Sequence, residues 1–586
     1  MTTRHFRSAG LIAVAAASCC CLFLISAGAG ADQSSVVSAS PLAPQAASEA
    51  FVTPASLDLG SYEELKDRRE LTLTDFALGG GVLVELELDQ FEVFAPDATI
   101  LASSAAGDVP LDRPNVALFR GQVVGDARSH VFVSVSPYGV SALIQTDDAT
   151  HVISSGPPGA QLATVVYNLT TLPAGAINWR PFHCAADELG MPSPGIMGET
   201  FAANGGDGGR GGRDAPCRVA QYAIETDWEF TGDLFGGDTE ASGAYAATLF
   251  GAASEIFTRD ANTRLEICFL RIWSDSNDPW DAPNIMSQLD QFREYWNDNM
   301  THVDRNAVHL LSGRPLGGGV AYIAALCYPE YDYGLSSSLN GWFPYPLQDN
   351  HEQNWDPFVV SHELGHNFGS WHTHDMVPPI DECAYGDCSV CPNGTIMSYC
   401  HQCEGGLTNI LLEFHDRIID EAILPFLSDP NTVALCDITV EEVTITDDPD
   451  DALACEQGSA SFTVVAAGYE PLSHQWRKDG VEIPGADQDS YVIGSVTFDD
   501  AGDYDVVVSN TCGSMTSTAA TLIVCPSIPG DLNHDCDVDL QDLVTLLGNY
   551  GATSGASYED GDLDDDGDID LADLAELLGH YSSEGC

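Results

Sequence analysis

The length and charge of this chain limit what it can be. At 586 residues it is longer than one hydrophobic core supports, so several domains are expected. Its 88 acidic side chains against 21 Lys and Arg give a formal net charge of −67, which repels the phosphates of nucleic acid and anionic lipid. Nucleic acid is therefore not expected as a partner. The acidity favours divalent cations, although solvated surface accounts for most of it.

The first 31 residues have the pattern of an export signal. Arg4 and Arg7 precede an apolar run, and residues 29–31 (AGA) form a small-residue cleavage site. A lipoprotein signal through Cys19 is a weaker alternative, because the apolar run continues beyond that cysteine. Since no later stretch reaches about 18 uninterrupted apolar residues, we expect no stable membrane span. The protein is predicted to be secreted or held at the cell surface.

Residues 32–213 are predicted to form a β-rich propeptide. VLVELEL (83–89) and HVFVSV (130–135) carry apolar residues at a period of two, which is typical of strands. The region ends in the Gly-rich linker NGGDGGRGGR (204–213), where Arg210 and Arg213 offer a protease a flexible target.

Residues 214–428 alternate helical stretches such as GAYAATLFGAASEIFTRDA with apolar runs such as AVHLLS, which predicts an α/β domain. Asp356 and Pro357 are expected to start a helix as its N-cap and first residue. That helix would continue through VVSHELGHNF and place His362 and His366 on one face.

The stretch SHELGHNFGSWH (361–372) predicts a catalytic zinc site. Two imidazoles on adjacent turns can bind one Zn²⁺, and Glu363 lies beside the metal, where it can take a proton from bound water. Gly369 lets the chain leave the helix and return His372 as a third ligand. Three protein ligands leave a position open for water, as in catalytic rather than structural sites. An ordinary helix with chance histidines is a poor alternative, since the whole pattern is rare at this composition.

These residues resemble the zinc motif of the metzincin metalloproteases, in which a turn carrying methionine lies beneath the metal. TIMSYC supplies that turn with Met397, and the flanking region, including GGGVAYIAALC (317–327), resembles the adamalysin or reprolysin branch. Thr373 departs from the Asp usual in adamalysins, and the Met-Ser-Tyr turn is more similar to astacins, serralysins and pappalysins. The resemblance implies peptide hydrolysis with Glu363 as general base. Tyr399 is either a donor to the oxyanion or a core tyrosine.

Five cysteines surround this turn. Cys388 and Cys391, with Cys400 and Cys403, have the spacing of a structural zinc site. Disulfides are the favoured alternative, because the chain is exported and Cys383 makes the cluster five rather than four.

Cysteine parity singles out Cys184. Of 18 cysteines, three lie in the signal and 14 lie from Cys217 onward, which leaves Cys184 as the one in the propeptide. If the 14 pair completely, Cys184 is a free thiol able to occupy the open zinc position until the propeptide is cut. Adamalysin and matrixin propeptides contain such a cysteine switch, and residues 119–145 resemble a reprolysin propeptide, although the motif around Cys184 does not match closely. Pairing with a mature cysteine is the alternative.

Residues 437–525 resemble an immunoglobulin-like sandwich. Trp476 in HQWRKDG and Tyr504 in DDAGDYDVVVSN match the buried tryptophan and corner tyrosine of that fold. Val506 stands where the second cysteine is usual, so Cys455 is expected to pair with Cys512. The sequence indicates a spacing or adhesive role and no ligand.

Residues 530–586 contain two similar acidic loops, DLNHDCDVDLQD and DLDDDGDIDLAD, each followed by an apolar-periodic segment. Oxygen-bearing side chains occupy positions 1, 3, 5, 9 and 12 of each loop, the spacing that binds Ca²⁺: Asp531, Asn533, Asp535, Asp539 and Asp542, then Asp562, Asp564, Asp566, Asp570 and Asp573. Aspartate at position 12 and one helix per loop resemble an EF-hand-like dockerin module. Cys536 replaces the usual Gly at position 6, and a Cys536–Cys586 bond could clasp the module.

The sequence thus predicts a multidomain protein with a β-rich propeptide, an α/β metzincin domain, an all-β immunoglobulin-like sandwich and a small α-helical dockerin-like module. The predicted function is that of a zinc endopeptidase acting on proteins or peptides, made as a latent precursor and docked through calcium to a cohesin-like or cell-surface partner. The alternative is a surface binding or adhesion protein with an inactive protease domain and dockerin-mediated assembly.

Overall fold

The computed structural model describes residues 42–44, 52–57, 60–66, 68–79, 82–146, 149–160, 162–173, 175–189, 217–346, 352–436, 438–440, 442–469, 472–510 and 512–583. The predicted export signal, the Gly-rich linker and Cys586 lie outside these residues.

The N-terminal region is rich in β-strands, as predicted. Its elements are β1 (Leu42–Pro44), β2 (Val52–Leu57), α1 (Gly60–Leu65), β3 (Glu70–Gly79), β4 (Val82–Phe91), β5 (Phe94–Ser104), β6 (Gly107–Pro110), β7 (Ala117–Val123), β8 (Asp126–Ser136), β9 (Gly139–Gln145), β10 (Thr150–Ser154), β11 (Thr164–Asn168) and β12 (His183–Cys184). Among the described residues, nine strands form an antiparallel sheet in the order β1-β2-β11-β10-β9-β8-β7-β4-β3. In β4 the alternation follows from one face packing into a core, with Leu86 and Leu88 buried. In β8 both faces are buried, since Val131, Val133 and Val135 lie in that core while Phe132 and Ser134 face the helix Thr239–Ala261.

The middle region is a mixed α/β domain. It contains β13 (Arg218–Thr226), α2 (Thr239–Ala261), β14 (Thr263–Trp273), α3 (Ile285–Asn299), β15 (Ala307–Leu311), β16 (Gly318–Ala321), β17 (Tyr333–Ser336), α4 (Asp356–Asn367), α5 (Asp416–Ile418), α6 (Leu424–Ser428) and α7 (Pro430–Leu435). The helical stretch GAYAATLFGAASEIFTRDA lies in α2, and AVHLL forms β15, as the sequence predicted.

The central sheet draws strands from both regions. Its order is β12-β16-β17-β15-β13-β14-β5-β6, so the N-terminal region supplies β12 at one edge and the hairpin β5–β6 at the other. One hydrophobic core joins N-terminal residues such as Phe94 and Leu118 with Phe250 of α2 and Phe358 of α4. The sequence predicted two regions in succession and gave no sign of this shared sheet.

The immunoglobulin-like domain is formed by β18 (Thr444–Asp447), β19 (Ala452–Cys455), β20 (Ala460–Thr463), β21 (Val465–Ala467), β22 (Ser473–Lys478), β23 (Val481–Glu482), β24 (Ser490–Ile493), β25 (Gly502–Asn510), β26 (Gly513–Thr516) and β27 (Ala520–Cys525). Trp476 and Tyr504 are both buried in its core. The Tyr504 hydroxyl donates to the carbonyl of Asp500 at 2.8 Å, which forms the expected tyrosine corner.

The C-terminal region has two loops that each lead into one helix, α8 (Leu540–Asn549) and α9 (Leu571–His580). Leu546 and Leu577 are fully buried in a small core between them. Within the described part of the chain, no helix is both long and apolar enough to cross a membrane.

Five disulfides join the described cysteines: Cys217–Cys512, Cys327–Cys436, Cys383–Cys400, Cys388–Cys403 and Cys455–Cys536. The predicted Cys455–Cys512 bond is therefore wrong. The segment entering the immunoglobulin-like domain runs beside the start of β13, with Val219 N donating to Ile438 O at 3.0 Å, and Cys512 is thereby brought to Cys217. Cys536 is brought to Cys455 because β27 lies beside β19, which ends at Cys455, and leads directly into the loop that carries Cys536. The predicted Cys536–Cys586 clasp is thus replaced by a bond to Cys455.

Candidate metal centre

The centre is built on α4, which carries the HExxH residues at the spacing the sequence predicted. The helix begins at Asp356, one residue earlier than a cap at Asp356 would require, because Trp355 precedes it as the cap. The Asp356 carboxylate instead accepts from the backbone N–H groups of Asn340 and Gly341 and from the Tyr245 hydroxyl. It therefore ties the start of the helix to the preceding loop and to α2.

Beyond α4 the chain reverses as predicted. Gly369 has a φ of +88°, and a Cβ there would lie 2.9 Å from the side chain of Phe426. Only glycine combines that conformation with that close approach. The reversal brings His372 back to the helix, where its Nε2 lies 3.2 Å from Nε2 of His362.

The three imidazoles are oriented for one metal ion. Each Nδ1 is hydrogen-bonded: His362 to Ile396 O at 2.7 Å, His366 to Ser370 O at 2.8 Å, and His372 to Asp187 Oδ1 at 2.9 Å. Since an Nδ1–H donated to oxygen leaves Nε2 as a lone-pair donor, all three rings present a metal-ligating atom.

The donor set fits zinc. The Nε2 atoms of the three histidines and Cys184 Sγ lie within 4.8 Å of one another, with all four residues buried. The closest donor pairs are 3.2 and 3.3 Å apart. The edge of a tetrahedron with metal–ligand bonds of ~2.1 Å is about 3.4 Å, so the spacing matches a four-coordinate zinc.

Burial keeps two of the imidazoles neutral. It lowers the pKa of His366 to about 3 and lowers the pKa of His362 well below its ordinary value. For His372, burial is outweighed by hydrogen bonds to Asp187 and Asp375, so its pKa is raised. Neutral imidazole is the form that binds a metal, and a carboxylate on Nδ1 increases the basicity of the other nitrogen.

Glu363 points into the same cleft. Burial raises its pKa well above the ordinary value, and its Oε1 has no hydrogen-bond partner among the described residues. A Cβ at Gly319 would lie 2.2 Å from that oxygen, so β16 must carry glycine there. The GGG run resembles that of the adamalysin branch, but its sequence does not reveal this steric role.

The methionine turn lies beneath α4, as the resemblance implied. Met397 is fully buried, and a Cβ at Gly365 would lie 2.9 Å from its sulfur. Thr373, which replaces the aspartate usual in adamalysins, donates its backbone N–H to Met397 O at 3.1 Å. Asp375, two residues further on, has Oδ2 3.5 Å from His372 Nδ1. Asp375 thus supplies a carboxylate near His372, two residues after the position at which adamalysins usually carry aspartate.

Cys184 is the fourth member of the cluster. It is 0% exposed, carries a free thiol, and has its Sγ 3.3 Å from Nε2 of His366 and 3.8 Å from Glu363 Oε2. Strand β12 positions it, with His183 N donating to Gly317 O and Ala185 N to Gly319 O, both at 3.0 Å. Burial and the nearby Glu363 carboxylate raise the pKa of the thiol, whereas a divalent cation would favour the thiolate.

Two further side chains of the N-terminal region contact the centre, and no sequence pattern pointed to either. Phe182 is 5% exposed, and its ring centroid lies 5.1 Å from that of Phe358 and 5.3 Å from those of His362 and His401. Asp187 accepts from His372 Nδ1. The N-terminal region therefore fills the cleft with an aromatic ring, a thiol and a carboxylate.

The Tyr399 hydroxyl faces the cleft rather than the core. It donates to Cys184 O at 3.3 Å and lies 3.4 Å from Asp187 Oδ2. Burial, and then the negative charge of its neighbours, raises the pKa of the phenol, so it remains a donor.

The cysteines around the methionine turn form disulfides, which is the alternative that the sequence favoured over a structural zinc site. Cys383 pairs with Cys400 and Cys388 with Cys403, while Cys391 is free. Cys268 is also free, so the expected complete pairing of the 14 mature cysteines is wrong. Cys184 is distinguished by its place among the histidines and not by parity.

The two acidic loops have matching geometry. In the first, Asp542 Oδ1 accepts from Leu532 N at 2.8 Å and Asp531 Oδ2 from Cys536 N at 3.0 Å. In the second, the Asp573 and Asp562 carboxylates accept from the corresponding amides of Leu563 and Gly567, both at 2.8 Å. Asp531, Asp535 and Asp542 bring carboxylate oxygens within 4.8 Å of one another. Cys536 takes the left-handed conformation of Gly567, with φ of +76° and +86°.

Comparison with known families identifies the class of two domains. Residues 216–410 match the reprolysin model of metallo-peptidase family M12, and residues 443–524 match the immunoglobulin I-set domain. The chain therefore carries a reprolysin-like M12 metallopeptidase domain followed by an I-set domain. Metallo-peptidase family M12 implies zinc as the metal of such a domain.

Individual relatives match only short parts of the chain. The decoration protein of Escherichia phage T5 is 33% identical over 91 residues, which are 15% of this chain and 56% of that protein. The chain thus spans little more than half of this curated relative. A chimeric titin Z1Z2 is 26% identical, with 15% of this chain and 98% of that chain covered, and Sidekick-1 immunoglobulin domains 1–5 are 21% identical, with 16% and 21% covered. Their TM-scores are 0.14 and 0.15.

Proposed function

We propose that this protein is a secreted zinc endopeptidase made as a latent precursor, with Cys184 as the inhibitory ligand. The observation that carries the proposal is the convergence of Cys184 Sγ with three histidine Nε2 atoms in one buried cluster. His362, His366 and His372 are the permanent zinc ligands in this proposal, and Cys184 holds the fourth position until it is displaced.

His362, His366 and His372 would hold a zinc ion, which would lower the pKa of a water bound in the open position and polarise the carbonyl of the scissile peptide. Glu363 Oε2, which lies 3.8 Å from the Cys184 Sγ that holds this position in the precursor, would take the proton from that water and pass it to the leaving amine. Tyr399, whose hydroxyl reaches the propeptide backbone at Cys184 O, donates to the oxyanion of a substrate held in the same place. Met397 supports the ligands from below and takes no part in proton transfer.

Latency follows from what the propeptide places in the cleft. Phe182, Cys184 and Asp187 occupy the space in front of Glu363 and Tyr399, so a substrate cannot enter while they are docked. A cut in the linker at Arg210 or Arg213 frees the end of this segment and lets it detach.

The C-terminal region is proposed to bind two calcium ions through the acidic loops and to dock the enzyme to a cohesin-like or cell-surface partner. Matching carboxylate arrangements in both loops support this, since clustered carboxylates repel one another until a cation neutralises them. The I-set domain, disulfide-bonded to the protease through Cys217–Cys512 and to the first loop through Cys455–Cys536, connects the two functions.

Hydrolysis of an unfolded protein tests the proposal. The intact precursor is expected to be silent, the protein cut in the linker active, and the activity lost on zinc chelation and restored by zinc. Cys184→Ser should give an active precursor without a cut, because a neutral hydroxyl binds zinc far more weakly than a thiolate. Cys268→Ser is the matched control, because that free thiol lies in β14 and should leave latency unchanged.

A cut protein that binds zinc and hydrolyses nothing would contradict the proposal and favour the binding or adhesion protein with an inactive protease domain. A Cys184→Ser precursor as silent as its parent would contradict the thiolate switch and leave steric covering as the basis of latency.

A further inference from the structure

The propeptide adds a strand to the catalytic sheet at each of its two edges, and the two strand pairings differ greatly in length. At the cleft edge, β12 pairs with β16 over two residues. At the opposite edge, β5 runs parallel to β14 with registered pairs from Phe94 opposite Ile267 to Ser103 opposite Trp273.

The β5–β14 edge is sealed by further hydrogen bonds. Ile267 N donates to Val93 O at 2.6 Å, and Ser274 donates both its N–H and its hydroxyl to Ser103 O at 2.9 and 3.0 Å. Asp275 accepts from Ala105 N at 3.0 Å. Without β5, the backbone of β14 would be an unpaired edge along the whole strand, which invites aggregation.

The propeptide sheet also covers α2. A Cβ at Gly251 would lie 2.8 Å from the Leu118 side chain and 3.1 Å from that of Phe132, so β7 and β8 approach the helix directly. Ser134 and Thr248 share a buried hydrogen bond of 2.7 Å across this contact. The small residues on α2 thus let the helix pack against the propeptide sheet as closely as two elements of a single domain pack against each other.

Polar contacts extend this interface at its rim. Asn115 donates from its backbone and its side chain to Glu240 Oε1 at 2.6 and 2.8 Å. The buried Tyr167 hydroxyl donates to Pro344 O at 2.7 Å. None of these contacts involves the inhibitory segment, residues 175–189.

We propose that the propeptide body, residues 52–168, remains bound after the linker is cut and forms the second chain of the active enzyme. The inhibitory segment alone detaches, because its backbone pairing is limited to the two residues of β12 and a single bridge between Trp179 and Gln353, while the body has a sheet edge and a helix face. This rests on the proposed activation by a linker cut, but it concerns assembly and is measured separately. The docking surface is the β14 edge with the adjoining face of α2, and its occupant is the propeptide of the same chain.

The test cuts the precursor in the linker with trypsin and identifies the two fragments by mass under denaturing, non-reducing conditions. Size-exclusion chromatography of the native digest at submicromolar concentration is then expected to show both fragments in equimolar amounts at the elution volume of the uncut precursor. Fragments that elute separately would overturn the proposal.

A pair of glycine variants tests whether the α2 face holds the body. Gly251→Leu inserts a side chain where Leu118 and Phe132 already lie, and the cut fragments of any folded precursor are expected to separate. Gly548→Leu, in α8, is the matched control because no atom lies within 4 Å of a Cβ there. Equal retention in both variants would overturn the role of α2, and the unsubstituted protein decides the question of retention if Gly251→Leu does not fold.

Hydrolysis is recorded on the same fractions. Separate fragments with activity would refute the retained subunit and leave the proposed protease intact. Co-eluting fragments without activity, even after zinc is supplied, would contradict an active two-chain enzyme, whereas separated fragments without activity would refute the proposed function.

Discussion

Phe182→Ala is expected to loosen the inhibitory segment without altering the zinc ligands. Phe182 packs against Phe358 and against the rings of His362 and His401, and all three partners remain in the protease when the segment detaches. Its burial therefore stabilises only the docked state. Removing a buried Phe side chain costs about 3–5 kcal/mol, and each 1.4 kcal/mol is a factor of about ten in an equilibrium constant.

At the lower end of that range, the population with the segment undocked rises about 10²-fold. Cys184 is fully buried while docked, so its rate of alkylation reports that population. The rate is measured by mass spectrometry of the Cys184 peptide after zinc is chelated, when packing alone holds the segment. An increase of about 10²-fold over the parent is expected.

The free thiol of Cys268, in β14, is the internal reference, and Phe498→Ala, at a phenylalanine that is 50% exposed in the immunoglobulin-like domain, is the matched variant. The alkylation rate of Cys268 in Phe182→Ala should change by no more than about twofold. The alkylation rate of Cys184 in Phe498→Ala should change equally little, since an exposed side chain contributes little to stability. Acceleration of Cys184 and Cys268 together would mean that the whole domain had loosened. An unchanged Cys184 rate would refute the reasoning that the Phe182 pocket holds the segment.

Four further outcomes are expected. Glu363→Gln should retain zinc and lose roughly 10²–10⁴ in kcat, as for other general bases; near-normal hydrolysis would exclude that role. Tyr399→Phe should lower kcat roughly 10²-fold with zinc content unchanged, whereas an unaltered kcat with a lower Tm would make it a packing residue. Calorimetric titration with Ca²⁺ should show two sites. Asp573→Ala should lose one of them, and Asp565→Asn, which alters the non-ligating position 4 of the loop, should keep both. An absence of Ca²⁺ binding to the parent protein would reject the calcium loops. Burial raises the pKa of Asp227 from 3.8 to about 7, so between these pH values the folded protein holds a proton at Asp227 that the unfolded chain releases. The stability of the protein should therefore fall as pH rises through this range. A series of denaturation measurements whose pH dependence Asp227→Asn does not flatten would contradict this.

The amino-acid sequence by itself determined the local chemistry of this protein. Helical periodicity placed His362 and His366 on one face, and Gly369 indicated the reversal that returns His372, because these relations depend only on a few consecutive backbone angles. Trp476 and Tyr504 likewise marked the core of the immunoglobulin-like domain. The loops before α8 and α9 were predicted from spacing alone for the same reason.

The tertiary structure decided everything that depends on which distant segments meet. Cysteine spacing could not assign Cys455 to Cys536, because the choice depends on which strand ends lie together. The contact of Asp187 with His372 and the packing of Phe182 follow from the pairing of β12 with β16. The insertion of β5 beside β14 has no sequence signal, since an edge strand with the right register can pair with any free edge, and only the packed chain selects one.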